Sequence, residues 1–381
     1  MVAAASVVVA VGTAAGVMSA YDDGRAPDRA GPEVTASPRL APLPAVPSAS
    51  PPASPSATAS AAPPTATPAR RTASAPPAPA GTATGQRERR GPATATRLYR
   101  HPDSNVLDWV RSNPGDPRRA VIESRIADQP AAVWFADFTP GTITSRVRAV
   151  TSGAAAQGRV PVVVPYAIPD RDCGGHSEGG APDLAAYDAW IDRFAAGLGS
   201  GEVVVILEPD AVAQSGCLPA GPRAERFASL ARAGRVLKDA NPRARVYFDA
   251  GHSGWHPPAE QAALLRQAGA ASADSSDGVF SNVSNFHATD DEIAYDRRVL
   301  DALGGPRGLG AVIDTSRNGN GAPPDGEWCD PAGRALGRTP TLSTGEDRID
   351  GYLWVKLPGE SDGCKGAPGT FTPSYAYDLA R

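Results

Sequence analysis

Val203–Asp210 reads VVVILEPD. Five aliphatic residues in succession describe a strand buried on both faces, because burial on one face would alternate with polar positions. Pro209 ends the hydrogen-bonding ladder, and Glu208 and Asp210 flank it where the strand emerges. In barrels of parallel strands, chemistry gathers at the C-terminal strand ends. Two carboxylates there, taken alone, would equally well cap the next helix; the rest of the chain favours chemistry.

Similar apolar runs recur along the chain at Ala132–Ala136, Pro161–Tyr166, Ala244–Asp249, Gly278–Asn282, Leu309–Asp314 and Gly351–Lys356. Helical patterns lie between them. Asp183–Leu198 sets Leu184, Tyr187, Ile191, Phe194 and Leu198 on one stripe behind a predicted N-cap at Asp183. The segments 222–240 and 258–268 both open on proline, which suits a first helical turn. Alternating strands and helices imply an α/β fold with a parallel sheet. Seven strands predict a distorted β/α barrel, TIM-barrel-like, one strand short of eight.

The globular composition begins near Arg97, leaving about 285 residues, a single barrel-sized domain over 97–381. Residues 22–96 are dominated by Pro, Ala, Ser and Thr. They hold 16 of the 39 prolines and neither Phe nor Trp, so they cannot build a core or an aromatic sugar-binding strip. We read them as an extended linker. Residues 1–21 are uncharged up to Tyr21 and rich in Val and Ala. They resemble the apolar part of a signal peptide, or, without a basic lead, a membrane anchor. Both readings predict a secreted or extracellular protein. The net charge of −4 offers no basic patch for nucleic acid. Cys173, Cys217, Cys329 and Cys364 lie far apart, without zinc-ligand spacing. In an exported protein they suggest two disulfides; of three connectivities, pairing sequence neighbours is the simplest.

Every predicted strand ends in polar groups: Asp137; Tyr166 and Asp172; Glu208 and Asp210; Asp249 and His252; Asn282 and Asn285; Asp314; then Lys356, Glu360 and Asp362. Stability alone does not ask for such a rim, and it reads as one cleft. Carboxylates without a metal cluster favour acid–base chemistry on an uncharged substrate, as in glycoside hydrolysis. Trp134, Trp255 and Trp328 lie where indole faces stack on sugar rings, whereas Trp354 falls mid-strand and is assigned to the core. A serine triad is disfavoured, since no G-x-S-x-G elbow occurs.

Two stretches, VPYAIPDRDCGGHSEG (Val164–Gly179) and VILEPDAV (Val205–Val212), resemble the two signatures of glycoside hydrolase family 6, the inverting cellulases. Further matches are YFDAGHSGW (Tyr247–Trp255), NVSNF (Asn282–Phe286), EWCD (Glu327–Asp330) and WVKLPGESDG (Trp354–Gly363). The resemblance implies a seven-stranded β/α barrel without cofactor or metal, acting on a β-1,4-glucan such as cellulose. By position it makes Asp210 the proton donor. Asp172 becomes the aspartate that raises the donor's pKa and orders water, Asp362 the proposed base, and Tyr166 the residue crowding the scissile sugar. It places Trp134, Ser177, His252, Trp255, Asn285, Trp328, Lys356 and Glu360 at substrate positions, with Asp249 beside the site. The family disulfides agree with Cys173–Cys217 and Cys329–Cys364. The short segment from Cys329 to Trp354 predicts an open cleft and endo cleavage by a monomer. The alternatives are a cellobiohydrolase or an inactive glycan-binding protein.

Overall fold

The computed structural model describes residues 97–381. The expected signal or anchor segment (1–21) and the linker (22–96) lie outside them. Among the described residues, no helix is long and apolar enough to cross a membrane.

Seven parallel strands form one sheet in sequence order: β1 (Val133–Phe135), β2 (Val162–Pro165), β3 (Val203–Leu207), β4 (Ala244–Asp249), β5 (Gly278–Ser281), β6 (Gly310–Asp314) and β7 (Ile349–Leu353). Helices α1 (Asn105–Ser112) and α2 (Arg119–Ile122) precede the sheet. The crossovers carry α3 (Ile143–Ala156), α4 (Leu184–Ala195), α5 (Ala220–Ala240), α6 (Pro258–Gln267) and α7 (Thr289–Leu303), and α8 (Pro373–Ala380) ends the chain. Only β6 to β7 is joined without an α-helix. The Asp183 carboxylate caps α4 by accepting the Ala186 N–H at 2.7 Å, as the sequence predicts.

The aliphatic run of β3 is buried on both faces. Val203, Val205 and Leu207 pack outward against the helices with Phe194, Phe227 and Phe248. Val204 and Ile206 point into the barrel with Val164, Tyr247, Phe280 and Val312. That double burial is why the strand carries no polar alternation.

The sheet curls but does not close into a ladder. Its two edges meet through the Ala132 N–H donating to Trp354 O at 2.9 Å, and through Trp134 Nε1 donating to Val355 O at 2.7 Å. Over this seam a third cluster gathers Val106 and Val110 of α1, Ile122, Ile126, Trp354, Leu357, and Ala376 and Ala380 of α8. Trp354 is core, as expected.

One strand differs from expectation. β7 begins at Ile349 rather than Gly351 and ends at Leu353 rather than Lys356. Its second residue, Asp350, is polar and hides the strand's start from an apolar-run reading. That carboxylate accepts the Tyr247 hydroxyl at 3.0 Å across the barrel floor.

The disulfides are Cys173–Cys217 and Cys329–Cys364, and no described cysteine is free. Peptide mapping of the unreduced protein should recover these two links, and thiol titration after unfolding without reductant should find none free. Four titratable thiols would overturn the pairing.

Candidate active site

At the C-terminal ends of the strands the backbone repeatedly takes left-handed conformations. Asp170, Asp172, Cys173, Glu208, Asp210, Asn282, Ser284 and Asp330 all have φ between 47° and 70°. Such torsions cost of order 1–3 kcal/mol each in non-glycine residues and persist where surrounding bonds over-determine them. Here those bonds are visible.

Glu208 is wholly buried. Its carboxylate accepts the Ala167 N–H (2.9 Å) and the Ile168 N–H (3.0 Å), joining the end of β3 to the chain leaving β2. Burial pushes its carboxyl up to about 7, against the pull of those two amides. Two residues on, Asp210 turns into the cleft. Loss of solvent, then the charges of Asp249 and Asp172, hold its carboxyl well above the ordinary range.

Asp249 is buried and bonded to backbone. Its carboxylate accepts the N–H groups of Val212 (3.1 Å), Ala213 (2.8 Å) and Gly251 (2.9 Å). It is therefore the anchor of the turn that presents Asp210. Asp172 accepts the Ser177 N–H at 2.7 Å, and a Cβ on Gly175 would lie 2.5 Å from its Oδ2, so a larger residue there would push the carboxylate aside. Ser177 thus enters the site through its amide.

Tyr166 stands beside both aspartates. Burial first, then Asp210 and Asp172, raise its phenol far above its usual value, so it remains a hydrogen-bond donor. Arg171 lies over its ring at 4.6 Å, and Trp134 meets it edge-on at 5.3 Å.

The opposite wall follows β6 and β7. Arg317, wholly buried, donates to both oxygens of Asp362 (2.7 and 3.1 Å), and Lys356 Nζ lies 3.4 Å from Asp362 Oδ1. Asp330 shapes this turn by accepting the Asp362, Cys364 and Lys365 amides and the Ser361 hydroxyl. Asp314 accepts the amides of Ser316 and Lys356, tying β6 to the chain beyond β7. Glu360 accepts from Asn105 at 3.1 Å; burial raises its carboxyl, and Lys356 and Asn105 oppose that.

His252 is sandwiched in an aromatic cluster, 4.2 Å from His287 and 5.2 Å from Trp255. Burial, then the neighbouring His287 and His256, lowers its imidazole to about 3, so it is neutral. Asn285 Nδ2 donates to Val283 O. Trp328 is 52% exposed, 5.8 Å from His176. That contact joins the loop carrying Asp172 to the loop stapled by Cys329–Cys364. Three potential metal ligands come together among the described residues, His176, Cys329 and Cys364, but both sulfurs are in the disulfide.

Of the residues expected on one rim, Tyr166 stands with Asp210 and Asp172, and Trp134 packs on Tyr166, while Trp255 and Trp328 pack against His252 and His176. Sequence reasoning misses Arg317 and gives Glu208 no role. Arg317 carries a faint signal, since it lies three residues past a strand end.

The geometry agrees with known proteins. The family model of glycosyl hydrolases family 6 matches residues 93–376. Endoglucanase 1 of Streptomyces sp. (strain KSM-9) is 55% identical over 284 residues, 74% of this chain and 77% of that one. Endoglucanase A of Thermobispora bispora is 50% identical over 293 residues, 76% of this chain and 63% of its own length. Among solved structures, the endoglucanase Cel6 of Mycobacterium tuberculosis, in complex with methyl-cellobiosyl-4-deoxy-4-thio-β-D-cellobioside, superimposes with a TM-score of 0.69 at 40% identity. That match covers 76% of this chain and 97% of that one. With a parallel barrel, a carboxylate-lined rim and a family match spanning the described domain, this chain belongs to glycosyl hydrolases family 6.

Proposed function

We propose that the domain is an exported endo-1,4-β-glucanase that hydrolyses internal bonds of cellulose with inversion, Asp210 acting as general acid. The feature that carries this is the Asp210 carboxyl at the end of β3, which loss of solvent and the neighbouring Asp249 and Asp172 charges hold above the ordinary carboxyl range. An acid raised in this way can deliver a proton to the leaving glycosidic oxygen.

Asp172 keeps that acid protonated and orders the attacking water. Both Asp362 oxygens are engaged by Arg317, so the water would reach this base through intervening hydrogen bonds. Tyr166, braced between Arg171 and Trp134, crowds the sugar at the scissile position. Trp134, Trp255 and Trp328 are the stacking surfaces, with Lys356 and Glu360 as polar contacts. The names of the two bacterial relatives and of the structural neighbour support the endo mode. One contact favours the second reading, a cellobiohydrolase: His176 against Trp328 brings two loops together, as a partly roofed cleft requires.

Viscosity and reducing ends measured together on a soluble cellulose derivative separate these readings. A steep viscosity fall per new end is expected. Asp210→Ala should lower the rate by roughly 10²–10⁴-fold, the worth of general acid catalysis. Reducing ends with little viscosity loss would move the assignment to exo action, and an unimpaired mutant would remove Asp210 from its role.

The pH profile gives a second check. Asp172→Asn removes a negative charge that raises the Asp210 carboxyl, so the Asp210 pKa falls. The alkaline limb of kcat/KM should therefore shift to lower pH. A limb that stays in place would show that Asp172 does not tune the acid.

A further inference from the structure

Behind the cleft lies a second acidic pair that the reaction does not use. Glu292 and Asp296 are one turn apart on the inward face of α7, and both are wholly buried. Glu292 Oε1 accepts the Ser253 N–H at 2.8 Å. Asp296 Oδ2 accepts the Ser281 hydroxyl at 3.0 Å. The remaining oxygens, Glu292 Oε2 and Asp296 Oδ1, accept no hydrogen bond among the described residues, although the Ser281 hydroxyl lies close enough to act on Glu292 as well.

Cations nearby are engaged elsewhere. On the outer face of α7, Arg297 pairs with Glu346, and from α6 Arg266 donates to Ala302 O. Arg298 acts on Tyr295, whose hydroxyl donates to Ala250 O. The other ionisable groups on this side offer no positive charge. Asp291 and Asp249 are acidic, Asp314 is held by backbone amides, and His252 is neutral. Burial is the main force on each carboxyl and the Glu292 charge a further one on Asp296, and both are held above the ordinary range. Two anions cannot sit unpaired in such a place.

We propose that Glu292 and Asp296 share one proton and, through the Ser253 amide, position the His252–Trp255 segment of the cleft. The link is short. Ser253 lies between His252, which stacks on His287, and Trp255, whose N–H donates to His252 O at 3.0 Å. A Cβ on Gly254 would lie 2.6 Å from His287 Cε1, so the segment has no slack against the N-terminal end of α7. Glu292 is thus a positioning residue, and the part of His252 and Trp255 in sugar binding rests on the function proposed above.

The sign of the pH effect follows from the raised carboxyls. Their stabilisation is complete below the ordinary carboxyl range and is lost as pH rises through the folded-state values. Glu292→Gln keeps the Ser253 acceptor and supplies an amide N–H where the shared proton sat. At mildly acidic pH its KM on soluble cellulose should match wild type. Towards alkaline pH wild-type KM should rise and Tm fall, while the variant stays flatter in both. Glu292→Ala should raise KM about ten-fold with kcat nearly kept, the loss of one hydrogen bond to a carboxylate. Superimposable pH profiles for wild type and Glu292→Gln would overturn the shared proton. A Glu292→Gln KM already raised at acidic pH would overturn the positioning role, even if Glu292→Ala did not fold. Should wild type cleave no glucan, the functional reading alone would fail. The Tm profile and the pH dependence of Trp255 fluorescence, isolated by subtracting a Trp255→Phe variant, need no substrate and would still decide this proposal.

Discussion

The Glu208 carboxylate, sealed at the end of β3 and accepting two amides from the chain leaving β2, is the joint on which the cleft is built. It is the price of a useful geometry. Glu208 is turned inward and φ is positive on both sides of Pro209, a turn that brings Asp210 beside Asp172 and Asp249. The same bonds fix Ala167 and Ile168, between Tyr166 and Asp172, so one buried group registers three residues of the site. A side chain too short to reach, or one without an acceptor, at 208 would leave two amides unanswered in a dry interior, a cost of about 1–3 kcal/mol each. Asp249 does the equivalent for the far side of the Asp210 turn.

The carboxyls of the rim are told apart by their neighbours. Asp210 meets other carboxylates, which raise its carboxyl. Asp362 meets a buried guanidinium and a lysine. Identical side chains placed in opposite fields can divide the acid and base halves of one reaction, with the protein supplying only position and surroundings. The acids that build the site, Glu208, Asp249, Asp314 and Asp330, form a third class. They bond chiefly to backbone amides and shape the loops on which the others stand.

How much of this is legible in the sequence depends on how local the cause is. Strands buried on both faces announce themselves as aliphatic runs, and all seven are found, with β7 displaced because Asp350 interrupts its pattern. Polar residues at strand ends mark the rim for the same reason, since the ends are where the runs stop. What the sequence does not reveal is which acid looks outward. The part Asp249 plays in holding the Asp210 turn is visible only once its three amide partners are seen. Arg317 and Glu292 acquire meaning from neighbours dozens of residues away, Asp362 and Ser253. Helical spacing sets Glu292 and Asp296 on one face, but no periodicity or motif records those longer pairings.

The seam between β1 and β7 has a consequence for how the chain must fold. Where an eighth strand would close the barrel, the opening is covered by α1, by the turn after α2 and by α8, the last helix of the chain. The first and final segments of the domain therefore meet at one plug. Until α8 has been synthesised, the seam lacks one part of that cover, and edge amides and carbonyls there are less shielded from a passing strand. Late protection of an edge exposes a folding chain to aggregation, so the packing of Ala376 and Ala380 into the seam guards the sheet as well as completing the core.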